Sequence, residues 1–352
     1  MKTGRTLDAL AAELQRQVSS KRDFIADSRA LEMAIEETDG IMVLRGINGG
    51  LPLANTAHEQ IAGRLQIPRV YYDRMRQESP ELLAHNVNHW LRANPERRLV
   101  RTLDNRVRAF LSDRYRPLDN FDLAEVVLPQ LVNLNVEVIS GELTEHRFYL
   151  KATTAKIKGD VTGDVVQAGI VVSNSEIGHG SLHIDEMTYI LACRNGAIHA
   201  SAVRKTHVGR TTNGGDSDAV DVLEYFKDDT RMADDQAFWL KVRDAVGAIF
   251  TQERFDKLMS RYHTAANRAI EADPVKVVEV TAKRYGLSES EGNSVLKHLL
   301  GGGRLSAYGL ANAITAASAE VEQYDRATEL ESLGGSVIEL PAHEWSALAA
   351  AR

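Results

Sequence analysis

A chain of 352 residues, 43% apolar and 26% charged, is long enough for one large domain or two and can bury a sizeable core. Its net charge of −7 argues against a uniformly basic nucleic-acid coat, and its single cysteine, Cys193, excludes an internal disulfide and a cysteine zinc cluster, which points to a reducing, cytoplasmic setting. No apolar run is long enough to cross a bilayer and the N-terminus lacks a signal peptide's hydrophobic segment, so neither secretion nor a membrane is expected.

In chain order, Thr6 caps a first predicted helix with Leu7, Leu10, Leu14 and Val18 at helical spacing, ending near Ser19 and Ser20. Residues 41–53, broken by Gly49 and Gly50, read as a short hairpin, and Thr56 with Glu59 as a capping box ahead of Ala57, Ile61 and Leu65. After the Ile67-Pro68 break, residues 69–76 form a short helix, and Ser79-Pro80-Glu81 starts another that carries Leu83, Val87 and Trp90 inward. Residues 1–96 are thus a helical preface with one hairpin.

Residues 98–116 are strand, turn, strand, with Asp104-Asn105 as a hairpin turn. A period of two places Arg106, Arg108 and Phe110 on one face and turns Val107, Ala109 and Leu111 to the core. Asn120 then caps a helix with Leu123, Val127, Leu131 and Leu134 buried and a kink at Pro129. Strands follow at 136–140 and 147–155, the second placing Arg147, Tyr149 and Lys151 on one face. Two more, at 165–173 and 182–193, flank the glycine-containing loop 174–180.

Arg194-Asn195-Gly196 is a further turn, Arg204, Lys205, His207 and Arg210 make a second basic cluster, and 209–217 is a linker. The sheet core spans 97–210. From 211 to 352 the pattern is helical, with Phe238, Val242, Val246 and Phe250 as one stripe and Phe255, Met259 and Tyr262 as another. Leu310, Ala313, Ile314 and Ala317 mark a later helix, after which Gly334-Gly335 is followed by a short strand-like VIEL and Trp345. The class is α+β, with a mainly antiparallel sheet core, N-terminal helices and a helical C-terminal part.

No phosphate-cradling loop and no dinucleotide fingerprint are present, so no nucleotide cofactor is expected. His179, His183 and Asp185, with Glu186 beside them, are the metal candidates, since imidazole and carboxylate together hold divalent ions; ordinary polar strand and loop positions are the competing reading. His85 and His89 lie one helical turn apart without the glutamate of a metalloprotease helix. Ser173, Ser175 and Ser181 lack a serine elbow, and Cys193 beside Arg194 reads as a small core residue, so nothing marks a nucleophilic enzyme.

Charge is unevenly spread: residues 64–116 carry an arginine excess of roughly six and no lysine, while 216–235 are acidic by a similar margin. Single-stranded nucleic acid needs cations for phosphates and rings for bases. Arg101, Arg106, Arg108, Phe110, Arg114, Tyr115, Arg116, Arg147, Tyr149 and Lys151 supply both, and Arg204 and Lys205 extend the set. The competing reading pairs these arginines with Asp104, Asp113 and Glu145 and packs the rings.

The segments QIAGRLQIPRVYYDRM, NHWL, LVRTLDNRVRAFLSDRYRPLDN, VVSNSEIGHGSLHIDE, CRNGAI and YGLANAIT resemble the phage-, prophage- and plasmid-borne family labelled domain of unknown function 932, from about Thr56 to Gly335. The resemblance implies a mobile element in a bacterial host cell. There, strand order around 98–155 is similar to the core of phage single-strand annealing proteins of the Red-beta, RecT and Rad type, an analogy of topology alone. The leading expectation is an oligomeric, ATP-independent protein that binds or anneals single-stranded DNA. The alternatives are a protein-interaction factor that docks a host protein through 216–235 and the helical C-terminal part, and a metal-dependent hydrolase built on His179, His183 and Asp185.

Overall fold

The computed structural model describes residues 1–37, 40–205 and 228–350. Its elements in order are α1 (Leu7–Ser20), β1 (Arg22–Asp27), β2 (Glu32–Ile35), β3 (Met42–Arg45), β4 (Leu51–Pro52), α2 (Asn55–Arg64), α3 (Arg69–Glu78), α4 (Pro80–Ala93), β5 (Arg97–Leu103), β6 (Arg106–Ser112) and α5 (Asn120–Asn133). Then come β7 (Glu137–Leu143), β8 (Phe148–Val161), β9 (Asp164–Asn174), β10 (Leu182–Ile190), β11 (Asn195–Lys205), α6 (Asp228–Ile249), α7 (Gln252–Ala266), α8 (Pro274–Tyr285), α9 (Glu289–Gly302), α10 (Ala307–Ala317), α11 (Tyr324–Ile338) and α12 (Ala342–Ala349). The fold is α+β, and every strand pair among the described strands is antiparallel.

The central sheet runs β11-β10-β9-β8-β7 and is covered on both faces, which is why β9 is buried along nearly its whole length. One face carries Phe148, Leu150, Ile170, Val172 and Ile184 against Leu10 and Leu14 of α1, Leu123, Val127 and Leu131 of α5, and Val242 and Val246 of α6. Further along the same face, Val166 and Ala168, with Val161, meet Phe255, Met259 and Tyr262 of α7 and Tyr308, Ile314 and Leu330 from α10 and α11, while the opposite face, with Lys151 and Val171, lies under α11 through the buried Lys151–Glu331 pair. Two smaller sheets, β1-β5-β6 and β2-β3-β4, pack with α2, α3 and α4 around Leu44, Tyr72, Leu83, Val87 and Phe110.

Several local expectations hold. The Thr6 hydroxyl caps α1 by accepting from the Ala9 amide, and Asp104 and Asn105 take φ of 51° and 55°, the left-handed pair that a tight hairpin requires. Others are corrected. Strands β1 and β2 are additions to the preface; β1 pairs with β5 in the register Phe24↔Val100, so the N-terminal segment is woven into the hairpin sheet. Helix α2 begins at Asn55 after Ala54 and has no side-chain cap, because Thr56 is buried inside it with its hydroxyl 3.3 Å from His146 Nδ1. Asp119, not Asn120, precedes α5. Trp90 is 40% exposed, and Leu91 fills the inward position instead.

The predicted strand at 182–193 ends at Ile190, which leaves Cys193 exposed in a turn, and residues after the Arg194 turn continue as β11. Gly334 and Gly335 do not end α11. They let it lie close: a Cβ on Gly335 would run into the Ile198 carbonyl, and one on Gly334 into the Thr315 side chain and, at 3.1 Å, the Ala311 carbonyl. The first half of the VIEL segment, Val337 and Ile338, belongs to that helix, and Glu339 caps it. The linker 209–217, most of the acidic stretch 216–235, and His207 and Arg210 lie outside the described residues.

His58 gives a pH signature to the N-terminal core. It is 1% exposed with Nδ1 2.8 Å from the Tyr72 hydroxyl, and burial, helped by Arg76 and Arg69, lowers its pKa to about 3. The unfolded chain therefore binds a proton first as pH falls below about 6.5, so this contribution to stability is full above that pH and is lost toward the folded value. Between pH 6.5 and 5, above the carboxylate range, His58 is expected to remove about 2 kcal/mol of stability. Urea melts across that window should show the slope, and His58→Gln should flatten it; an unchanged slope in the variant would refute the assignment.

Candidate functional site

The β5–β6 hairpin does not present the predicted binding face. A register shift pairs Arg101 with Ala109 but Thr102 with Val107, so Arg108 is bulged out of the alternation. Phe110 consequently joins Val100 and Val107 in the core at 1% exposure, and Ala109 and Leu111 pack with Leu99, Tyr115 and Ile177 on the opposite side. Arg101 is also 1% exposed: Nε donates to Asp23 at 2.9 Å, Nη2 to Asp119 at 2.8 Å and Nη1 to the Glu176 carbonyl at 2.8 Å.

The remaining members of the basic and aromatic set divide in the same way. Tyr115 is buried with its hydroxyl donating to the Ser175 carbonyl at 3.2 Å, and Tyr149 is buried 5.4 Å from the Tyr324 ring. Lys151 is wholly buried against Glu331 at 2.5 Å. Arg116 is half-buried and donates to Asp235 at 2.7 Å, while Asp104 pairs with Arg16. Arg106, Arg114 and Arg204 are exposed and Arg147 is half-buried; Lys205 lies in β11 with its side chain outside the described residues. The rings expected to stack on bases are therefore core residues, and four of the cations, Arg101, Arg108, Arg116 and Lys151, bind carboxylates other than those predicted.

What the hairpin organises is the loop between β9 and β10. Asn174 donates to the Leu118 carbonyl at 2.6 Å and to Asn120 Oδ1 at 2.9 Å, Gln60 donates to the Ile177 carbonyl at 2.6 Å, and the Ser175 hydroxyl accepts from the His179 amide at 3.1 Å. Arg147 Nη2 donates to the His179 carbonyl at 2.8 Å, directly over Gly180, where a Cβ would strike the guanidinium; φ of 81° at Gly178 and 153° at Gly180 completes the path. At its centre the Glu176 carboxylate is buried. One oxygen accepts from Lys21 at 2.5 Å and from the Asn120 amide at 2.7 Å, and the other from Arg108 at 2.5 Å. Burial alone would push this carboxyl up, but the charges of Arg108, Lys21 and Arg101 outweigh it and hold the pKa at about 2.

The loop so held forms one wall of a cleft of about 630 Å³. Its floor is the central sheet, with Tyr149, Val171, Ser173, His183, Asp185 and Ile198; the facing wall is α11 and its first turn, with Asp325, Arg326 and Glu329. His146 and His179 lie face to face at the mouth, ring centres 4.5 Å apart and planes 32° apart, with Arg147 next to them. Arg204 stands opposite His183 across the β10–β11 pair. Burial, then His146 and Arg147, lowers the His179 pKa; burial, then Arg147 and Arg204, lowers that of His183, so both are neutral at pH 7. On the helix side Asp325 accepts from the Thr144 hydroxyl at 3.0 Å and Glu329 from Arg326 at 2.8 Å.

Comparison with family models, curated proteins and solved structures returned no match. The cleft's chemistry therefore rests on its own residues. The structure does bring His179, His183 and Asp185 together, as a metal site would need, yet among the described residues no three histidine, cysteine or acidic side chains converge with metal-holding geometry. Ser173 lines the cleft, Ser175 serves the loop, and Cys193, though exposed in its turn, has its thiol pushed up by partial desolvation, away from the thiolate. His85 and His89 line a separate hollow with Glu32 and Arg92. Sequence reasoning missed His146, Asp325, Arg326 and Glu329. His146 carries a local signal, its place in the turn before β8; the α11 residues reach the cleft only through the tertiary fold.

Proposed function

We propose that the chain binds single-stranded nucleic acid, and that the strand is held at the cleft beside loop 174–181, not along the β5–β6 hairpin. The observation that carries this is the close, tilted His146–His179 pair in the cleft lining with Arg147 beside it and Arg204 across from His183. Imidazole rings offer flat faces to bases, and arginines offer paired donors to phosphate oxygens. In the mobile-element setting that the sequence resemblance implies, strand annealing without nucleotide hydrolysis is the matching task, with several subunits each holding a short piece of strand.

Fluorescence anisotropy with single-stranded and duplex oligonucleotides at two salt concentrations tests this. Wild type is expected to prefer single strands and to lose affinity steeply with salt, and His146→Ala should cost about 1–3 kcal/mol of binding, the worth of one stacked base. Arg204→Ala should reduce the logarithmic salt slope by about 0.7, the loss of one phosphate contact. Absence of binding at low salt would retire the reading and make capture of a host protein the next experiment.

A further inference from the structure

The cleft is short, and its polarity is divided. Beyond it four of the cations that could continue a phosphate track are withdrawn: Arg101 and Arg108 converge on the Glu176 loop, Arg116 on Asp235, and Lys151 on Glu331. Within it, Arg147 and the imidazoles sit on the sheet-and-loop side, while Asp325 and Glu329 face them from α11 together with Arg326, which is itself held by Glu329 and Glu291. A passing backbone would bring successive anionic diesters past those carboxylates. A single unit need not: its phosphate can lie by the arginines while its amino and hydroxyl groups donate to carboxylates, which only accept. The volume of about 630 Å³ lies within the range of small-ligand sites, about 300–1,000 Å³.

We infer that this cleft takes one nucleotide unit bearing a phosphomonoester, either the phosphorylated end of a strand or a free nucleoside monophosphate. The inference deepens the nucleic-acid reading and rests on it for the class of ligand. A monoester carries about −1.5 to −2 charge at neutral pH against −1 for a diester, so it gains more from Arg147 in the lining and from Arg204, which stands opposite the lining residue His183. Arg147 supplies a guanidinium already fixed by the His179 carbonyl; Arg204, exposed on the edge strand, supplies the second without any part in holding the loop.

The test is displacement of a labelled 5′-phosphorylated single strand from the full chain. The competitors are the same strand without phosphate, a closed circular single strand of equal length, and deoxyadenosine monophosphate. The phosphorylated strand is expected to compete about tenfold better than the unphosphorylated and circular ones, the monophosphate to displace it as well, and Arg204→Ala to shrink the tenfold gap to about threefold or less. Equal competition by circular and phosphorylated strands overturns the inference and leaves single-strand binding in place. Binding of the monophosphate with no affinity for any strand supports the phosphomonoester site, assigns it to a free nucleotide and removes the strand reading. Failure of every competitor, with no binding of the labelled strand, overturns both.

Discussion

Glu176→Gln is expected to cost about 3–5 kcal/mol of folding stability, the usual result of removing one partner from a buried set of charges. The side chain is about 1% exposed and accepts from Lys21 and Arg108, both largely buried themselves, and from the backbone amide that opens α5. Glutamine keeps the shape but returns no charge, so two cations remain in a site too dry to solvate them. Arg108 Nε, which already has no hydrogen-bond partner, shows that the cluster has no spare acceptors to offer.

The same group predicts an acid limb. Its folded pKa of about 2 lies below the unfolded value of 4.5, so its contribution is full above pH 4.5 and is lost as pH falls toward 2, roughly 3 kcal/mol in all. Denaturant melts of wild type and variant should differ by the full amount at pH 7 and converge near pH 2. A variant within 1 kcal/mol of wild type at pH 7 would mean that Glu176 does not hold the loop. Strand affinity should fall with stability in this variant, because the loop sets both His179 and the carbonyl that orients Arg147.

The sequence displays the hairpin turn because Asp104 and Asn105 encode a left-handed pair locally, and it displays α1 because cap and stripe are both within the segment. It hides β1, whose half-exposed RDFIAD has no alternation and acquires strand form by pairing with β5 far along the chain. It also hides the fate of the arginines. A period-two pattern cannot reveal a bulge at Arg108, nor that Arg101 would meet the backbone carbonyl and Arg108 the carboxylate of Glu176, 75 and 68 positions away. The motif NSEIGHG was legible as a glycine-bent loop with histidine in it. Its role as the point where side chains from the hairpin sheet, α2, the end of α1 and the approach to β8 meet was not, since each partner is remote in sequence.

Lys151 and Glu331 pose the opposite test, because here the expected loss can be undone. Both side chains are 0% exposed, with Nζ 2.5 Å from Oε2; Nζ also donates to Thr328 at 3.0 Å and lies 4.5 Å from the Tyr324 ring centre, and Ser318 donates to the other carboxylate oxygen at 3.3 Å. Burial pulls the lysine pKa down and Glu331 resists it. Lys151→Met alone should cost about 3–5 kcal/mol, since it strands a carboxylate, whereas Lys151→Met with Glu331→Leu should be close to neutral or more stable by about 1–4 kcal/mol. Urea melts of the two single variants and the double variant measure this, and equal losses in single and double variants would show that packing, not charge, dominates. An apolar pair holds α11 against the sheet but does not fix its rotation, whereas the ion pair anchors Thr328, which lines the cleft with Asp325 and Glu329. The double variant is therefore expected to keep its stability and lose strand affinity; retained affinity would mean that the glycines at 334 and 335 seat the helix by themselves.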